Sequence, residues 1–135
     1  HFFPALIKKA HECKVKNNKT LEVWGSGRPL RELIFVDDIA DACIFFMKKR
    51  TKEFLINIGV GRDRTIKQYV NFLIKKLKLK VKIKYNSSRP DGTFKKLLNS
   101  QIINNLGWFP KTTLDDGLRQ TYQWFIDNKN SFRNE

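Results

Sequence analysis

The sequence predicts a mixed α/β fold, because two periodicities of apolar residues alternate along the chain. In several stretches apolar residues recur every three or four positions, which is typical of amphipathic helices. Shorter stretches alternate apolar and polar residues, which is typical of half-buried strands. The 135 residues are enough to bury a hydrophobic core, and no apolar run is long enough to cross a bilayer.

Five elements are expected before residue 60: a helix at 3–16, strands at 20–24 and 31–36, a helix that starts at Asp37 or Asp38, and a buried strand at 54–58. The first helix is expected to bury one apolar face, made of Phe3, Leu6, Ile7, Ala10 and Cys13. An aspartate suits the N-cap of the second helix, because its carboxylate accepts hydrogen bonds from the free N–H groups of the first turn. The apolar face of that helix is expected to contain Ile39, Ala42, Cys43, Phe46 and Met47.

The rest of the chain predicts a helix capped by Thr65, a strand at 81–85, a loop at 86–93, a short helix at 99–106 and a last helix that starts at Thr112 or Thr113. The strand is expected because its apolar residues alternate with Lys82 and Lys84. The last helix is expected to turn one face inward, made of Leu114, Leu118, Thr121, Tyr122, Phe125 and Ile126.

The formal net charge of +14 is of the size that many nucleic-acid-binding proteins carry. The lysines, however, are scattered over predicted helices, strands and turns, and no motif interleaves aromatic with basic residues. Lysine, asparagine and isoleucine are all abundant, as A/T-rich coding would produce without selection for a partner. The charge therefore favours a generally basic surface, and a non-enzymatic module that binds nucleic acid remains the alternative.

The two cysteines, Cys13 and Cys43, have neither metal-binding nor disulfide-framework spacing. A reducing cytoplasm is therefore the expected location. The sequence also lacks the paired histidines and the acidic loop of common metal sites, so no protein-bound metal is expected.

Residues 24–38 are the most informative candidate for a binding site. Trp24 and Arg31 flank the glycine turn at residues 25–29. An indole can stack on a sugar or base ring, a guanidinium matches phosphate oxygens, and glycine lets a ligand come close to the backbone. The alternative is a hairpin in which Trp24 packs in the core and the arginines are solvated.

Three further groups have a chemical and a structural interpretation. Asp37 and Asp38 are a candidate acid–base pair, but neighbouring helical residues do not share a site easily, which favours helix capping. Asp91 and Lys96 belong to a turn-rich segment that suits sugar and phosphate contacts, or else a solvated surface turn. His1 is a candidate for proton transfer, since imidazole titrates near neutral pH, or else a frayed chain end.

Several segments together resemble the GDP-L-fucose synthase family of extended short-chain dehydrogenase/reductases. They are His-Phe-Phe-Pro-Ala-Leu-Ile-Lys-Lys (1–9), Val-Trp-Gly-Ser-Gly-Arg-Pro-Leu-Arg-Glu (23–32), Phe-Val-Asp-Asp-Ile-Ala-Asp-Ala (35–42), Arg-Pro-Asp-Gly-Thr (89–93), Leu-Gly-Trp (106–108) and Leu-Arg-Gln-Thr-Tyr-Gln-Trp-Phe (118–125). The match runs through the whole chain in the family's order. Pro-Asp-Gly-Thr and Thr-Tyr-Gln-Trp-Phe are its most specific parts.

The resemblance implies an activity that uses NADPH to convert GDP-4-keto-6-deoxy-D-mannose into GDP-L-fucose, by epimerisation at C3 and C5 and reduction at C4. It implies that His1 is a catalytic acid or base that also lies at the NADP cofactor. It implies GDP-sugar contacts at Lys9 and Asp91 by hydrogen bonding, at Trp24 by ring packing, and at Arg31 and Lys96 by charge.

The resemblance covers only the C-terminal part of the family's sequence, so residues 1–135 are expected to be its substrate-binding portion. The glycine-rich nucleotide loop, the Ser/Tyr/Lys reducing group and the Rossmann N-terminal part have no counterpart here. The isolated chain is therefore expected to be inactive, and the intact enzyme to form a homodimer through the missing part. A fragment of another nucleotide-sugar epimerase or dehydratase is the closest alternative.

Overall fold

The computed structural model describes residues 1–129, and over this range the protein is a mixed α/β structure, as predicted. Its elements are α1 (Phe2–Val15), β1 (Thr20–Trp24), β2 (Leu30–Glu32), α2 (Val36–Lys48), β3 (Asp63–Thr65), α3 (Ile66–Lys76), β4 (Lys82–Asn86), β5 (Lys95–Lys96), α4 (Gln101–Asn105) and α5 (Leu114–Asn128).

The chain divides into two compact units. The first unit contains residues 1–32 and 62–97, and the second contains residues 33–61 and the described residues from 98 onward. Each unit is therefore built from two separate stretches of chain. That residues 1–135 act together as one substrate-binding region stays a prediction.

The first unit contains all of the β-strands in the described part of the chain. β1 pairs with β4 in parallel, while β2 lies between antiparallel β3 and parallel β5. α1 contacts β1 and α3, and it buries Leu6, Ile7, Ala10 and Cys13 of the predicted face, whereas Phe3 is half-buried. Complete burial of one such Leu or Ile side chain contributes about 1.5–3 kcal/mol to stability.

Helix α3 begins as the sequence predicts. The Thr65 hydroxyl accepts from the Gln68 N–H at 3.1 Å, and the Gln68 side chain accepts in return from the Thr65 N–H at 2.8 Å. This capping box satisfies two backbone donors at the point where β3 becomes α3. It therefore fixes the end of β3 beside the central strand β2.

The second unit is formed by α2, α4, α5 and irregular segments. Its core comprises Ala42, Ile103 and Trp108, with Ile34, Phe45, Phe46, Ile56 and Ile58 packed against it. The indole Nε1 of Trp108 donates to the Asp41 carboxylate at 2.8 Å. α5 places Leu118 in the interior and half-buries the other members of its predicted inward face.

The predicted aspartate cap of the second helix is wrong. α2 begins at Val36, and its N-cap is Phe35. Asp38 is 5% exposed and instead accepts the backbone N–H groups of Lys111 and Thr112, each at 3.1 Å. Sequence periodicity missed this role, because the partners of Asp38 lie more than seventy residues along the chain.

The predicted buried strand at 54–58 is also wrong. These residues have no regular secondary structure, and Phe54 and Leu55 are exposed. The apolar face predicted for α2 is only partly buried, because Ile39, Cys43 and Met47 are exposed whereas Ala42 is buried. The short strands β3 and β5, at three and two residues, gave no usable periodicity and were not predicted.

Within residues 1–129, none of the helices has the length and apolar character that a membrane span requires.

Candidate functional site

The candidate binding residues other than His1 lie around the carboxyl end of β1 and the middle of β2. Strand alternation buries Leu21 and Val23 and turns Trp24 outward, where its ring is 57% exposed. Lys9 Nζ lies 4.5 Å from the ring centroid, and Arg89 Cζ lies 5.0 Å from it. The indole is therefore an accessible aromatic surface beside two cations, and the alternative of a core tryptophan is excluded.

The glycine turn after Trp24 is conformationally demanding. Gly25 and Gly27 have φ angles of +78° and +75°, in the region that side chains disfavour. A Cβ at Gly25 would overlap the Asp91 carboxylate, and a Cβ at Gly27 would overlap the Tyr85 ring. Gly25 thus allows the turn to approach Asp91 closely, and Gly27 allows it to approach Tyr85 of β4.

Ser26 holds Asp91 against this turn. Its N–H donates to Asp91 Oδ1 and its hydroxyl donates to Oδ2, each at 2.6 Å. These hydrogen bonds, assisted by the charges of Arg28 and Arg31, lower the pKa of Asp91 below its ordinary value. Asp91 is therefore an ionised carboxylate whose oxygens keep lone pairs for further donors. Ser26 lies inside the predicted turn, but nothing in its local sequence identifies its partner.

Arg31 occupies the central strand of the three-stranded sheet. Its Nη1 donates to the Leu30 carbonyl at 2.7 Å, and the Tyr69 hydroxyl donates to the Arg31 carbonyl at 2.9 Å. A Cβ on Gly92 would lie 3.9 Å from Arg31 Nη2, so the guanidinium is next to the Asp91 loop. Burial raises the pKa of Tyr69, which keeps its hydroxyl protonated as the donor.

Arg31 has a cation on each side of it. In the register of the sheet it is the partner of Arg64 on β3 and of Lys96 on β5. Directly paired residues project from the same face of a sheet, so Arg64, Arg31 and Lys96 form a row across three strands, here called the cation row. Lys96 is a predicted site residue. Arg64 is not, because β3 is too short for its alternation to be recognised.

His1 precedes α1, about two helical turns before Lys9. It is the exposed N-cap residue of α1 and makes no side-chain capping hydrogen bond. At about 1.5 Å of rise per residue, it is roughly 12 Å from Lys9 along the helix axis. Its catalytic role and its contact with a cofactor stay predictions. In the described part of the chain, no group of His, Cys, Asp or Glu residues could hold a metal ion.

The chain has clear relatives among proteins of known family. The model of the NAD dependent epimerase/dehydratase family matches residues 1–59. A putative GDP-L-fucose synthase 2 from Arabidopsis thaliana is 43% identical over 95% of this chain, which corresponds to 39% of the relative. The resemblance to GDP-L-fucose synthases that the motifs indicated is thereby confirmed.

Solved structures share the fold. A GDP-L-fucose synthetase from Naegleria fowleri has a TM-score of 0.88 at 25% identity, over 99% of this chain and 41% of its own. The NADP-bound GDP-mannoheptose C4 reductase MlghC from Campylobacter jejuni has a TM-score of 0.78 at 30% identity, over 93% of this chain and 45% of its own. The chain thus spans less than half the length of each of these proteins. The chain is therefore a part-length relative of the GDP-L-fucose synthases, and its residues 1–59 match the NAD dependent epimerase/dehydratase family.

Proposed function

We propose that this chain is the substrate-binding part of an NADP-dependent GDP-L-fucose synthase, which converts GDP-4-keto-6-deoxy-D-mannose into GDP-L-fucose. The observation that carries the proposal is the convergence, within the first unit, of exposed Trp24, the Ser26-bound carboxylate of Asp91 and the guanidinium of Arg31. An aromatic surface, an oriented acceptor and a fixed cation are the groups that a sugar nucleotide requires.

Each side chain has a role that follows from its chemistry. Trp24 offers its indole to a ring of the ligand, and Lys9 is held at that ring as a hydrogen-bond donor. Asp91 accepts from ligand hydroxyls through the lone pairs that Ser26 leaves free. Arg31 and Lys96, paired across β2 and β5, neutralise the diphosphate.

His1 is proposed to transfer a proton during epimerisation, when the ketone at C4 acidifies the neighbouring C–H bonds. NADPH, once bound, would supply the hydride for reduction at C4. The described residues do not fit a dinucleotide site by themselves, because the turn at Gly59 and Gly61 leads into β3 and not into a helix. This chain is therefore assigned the sugar-nucleotide side of the reaction, and alone it is expected to bind without transferring hydride.

A calorimetric titration with GDP-L-fucose at moderate salt tests the proposal, with ADP-ribose as the competing nucleotide sugar. We expect GDP-L-fucose to bind more tightly, and Arg31→Ala to weaken it about tenfold or more, since a charge-assisted hydrogen bond contributes about 1.5–3 kcal/mol. Arg50→Ala, an exposed arginine of the second unit, is the matched control and should leave binding unchanged. The proposal would be overturned if both ligands bound weakly with equal affinity and Arg31→Ala left that affinity unchanged.

Other GDP-sugars are the second candidate substrates, because MlghC is named as a reductase of a GDP-mannoheptose. Competition of GDP-mannose and GDP-L-fucose for the same site distinguishes these possibilities by relative affinity. A basic module that binds nucleic acid predicts a different result, namely tight DNA binding that falls steeply with salt and is insensitive to GDP. We also propose that the intact enzyme is a homodimer and that it is located in the cytoplasm.

A further inference from the structure

We propose that Arg64 is a third phosphate-binding cation, and that the cation row of Arg64, Arg31 and Lys96 binds the diphosphate group of the nucleotide. This inference rests on the proposed function and adds to it a residue that the family resemblance did not supply. It assigns to β3 a role in binding, where the predicted site used only the residues of α1, β1, β2 and the segment at 91–96.

The register of the sheet places the cation row. Neighbouring strands lie about 4.8 Å apart, so the backbones of Arg64 and Lys96 lie about that distance on either side of Arg31. A diphosphate joins two phosphates through one oxygen, and long side chains on three adjacent strands can surround both. Guanidinium groups also offer paired donors that match phosphate oxygens.

The cation row lies on the face of the sheet that carries the candidate site. Arg31 lies next to Gly92, and its charge helps to lower the pKa of Asp91. On the opposite face, Lys95 pairs with Asp63 at 3.7 Å. Asp63 and Arg64 are adjacent on β3, so strand alternation places their side chains on opposite faces of the sheet. Asp63 therefore pairs with Lys95, and Arg64 lies on the face of the candidate site.

The charges of the cation row also favour an anion. Like charges directly opposite one another destabilise a sheet pair, and Arg31 has such a neighbour on both sides. A bound diphosphate would remove this repulsion, whereas a ligand with a single phosphate could not reach all three cations at once.

The test compares Arg64→Gln with Arg50→Gln in titrations with GDP, GMP and inorganic pyrophosphate. We expect Arg64→Gln to lower the affinity for GDP about fivefold to tenfold, because one exposed charged hydrogen bond is lost. The affinity for GMP should fall by less than about twofold. Arg64→Lys should restore most of the GDP affinity. Pyrophosphate distinguishes a site for the free anion from one for the nucleotide, and we expect it to bind far more weakly than GDP.

Thermal unfolding, with and without GDP, provides a second readout. Because Arg64→Gln removes like-charge repulsion, the ligand-free variant should melt at the same temperature as the parent chain or higher, while GDP should raise its melting temperature less. If folded Arg64→Gln binds GDP as tightly as the parent chain, this inference fails and the proposed function is unaffected. An equal loss for GDP and GMP overturns it too, because that would mean a diffuse basic surface. If instead Arg64 controls diphosphate binding but GDP-L-fucose gains nothing over ADP-ribose, the inference holds and the proposed function fails.

Discussion

Asp91 is bound through both of its carboxylate oxygens to a single residue, Ser26, once by the backbone N–H and once by the hydroxyl, each at 2.6 Å. This pair joins the turn after β1 to the loop after β4, although the two residues are 65 positions apart in sequence. The same Ser26 hydroxyl accepts from the Arg28 N–H at 3.1 Å, so it also braces the turn itself. Ser26 is thus the residue that positions the Asp91 carboxylate for a ligand.

Ser26→Ala should loosen the Asp91 carboxylate and weaken the fold. The variant keeps the N–H bond but loses the hydroxyl bond, which implies a cost of about 0.5–1.5 kcal/mol in the free energy of unfolding. We expect GDP-L-fucose affinity to fall as well, because Asp91 loses one of its two restraints. Urea unfolding and calorimetry measure the two effects. Ser88→Ala is the control, since its hydroxyl bonds locally to Asn86; an equal loss of affinity there would contradict the special role of Ser26.

The stability that Asp91 contributes should depend on pH. Hydrogen bonds from Ser26 lower its pKa below the ordinary value of 3.8. A carboxyl group with a lowered folded-state pKa stabilises the fold above its unfolded pKa, and this contribution disappears as pH falls through the folded pKa. Asp91→Asn should therefore be less stable than the parent chain at neutral pH, and the difference should vanish in acid.

Urea unfolding at a series of pH values from about 7 to about 2 measures this difference, because the range spans the ordinary carboxyl pKa. Asp127→Asn, on α5, is the control, because it also removes one carboxylate from the chain but not the one that Ser26 binds. A parent–variant difference that stays constant down to the lowest pH would contradict the role assigned to the Asp91 charge.

Gly25 and Gly61 form a matched pair of glycines with positive φ. Their angles are +78° and +71°, but a Cβ at Gly25 would overlap Asp91, whereas a Cβ at Gly61 would meet no atom within 4 Å. Gly61→Ala should therefore show only backbone strain, about 1–2 kcal/mol. Gly25→Ala should cost more and should also lower GDP-L-fucose affinity. Equal losses of unfolding free energy in the two variants would show that the Asp91 contact contributes nothing.

The sequence predicted the parts of the fold that local periodicity specifies. α1, β1, α3 and α5 lie where the apolar patterns placed them, and the Thr65 cap is confirmed. The expected strand at 54–58 failed because a short apolar run has no period that separates a strand from an extended loop segment. There only Ile56 and Ile58 reach the core of the second unit, and Phe54 is exposed.

The candidate site was predictable by residue type but not by arrangement. Family motifs identified Trp24, Arg31, Asp91 and Lys96, and the structure brings these four to neighbouring positions in the first unit. The Ser26–Asp91 bonds and the register that aligns Arg64 with Arg31 are long-range pairings. Such pairings depend on how distant strands meet, and no window of the sequence contains both partners.

Asp38 is the predicted helix cap whose actual role gives the sharpest stability test. Its two oxygens accept the backbone N–H groups of Lys111 and Thr112, and it is 5% exposed. Asp38→Ala would leave two donors without their acceptor, at about 1–3 kcal/mol each, so a loss of roughly 2–6 kcal/mol is expected. Asp38→Asn should lose less, because its remaining oxygen can still accept one bond.

Asp37 is the matched control for Asp38. It lies beside Asp38 in the first turn of α2 but is exposed, so Asp37→Ala should cost only the helix-dipole contribution of about 0.3–1 kcal/mol. Thermal and urea unfolding of the three variants would measure the ranking. Because Asp38 belongs to the second unit, GDP-L-fucose affinity at temperatures where the variant is folded should be unchanged. Equal destabilisation by Asp37→Ala and Asp38→Ala would mean that Asp38 acts through the helix terminus after all.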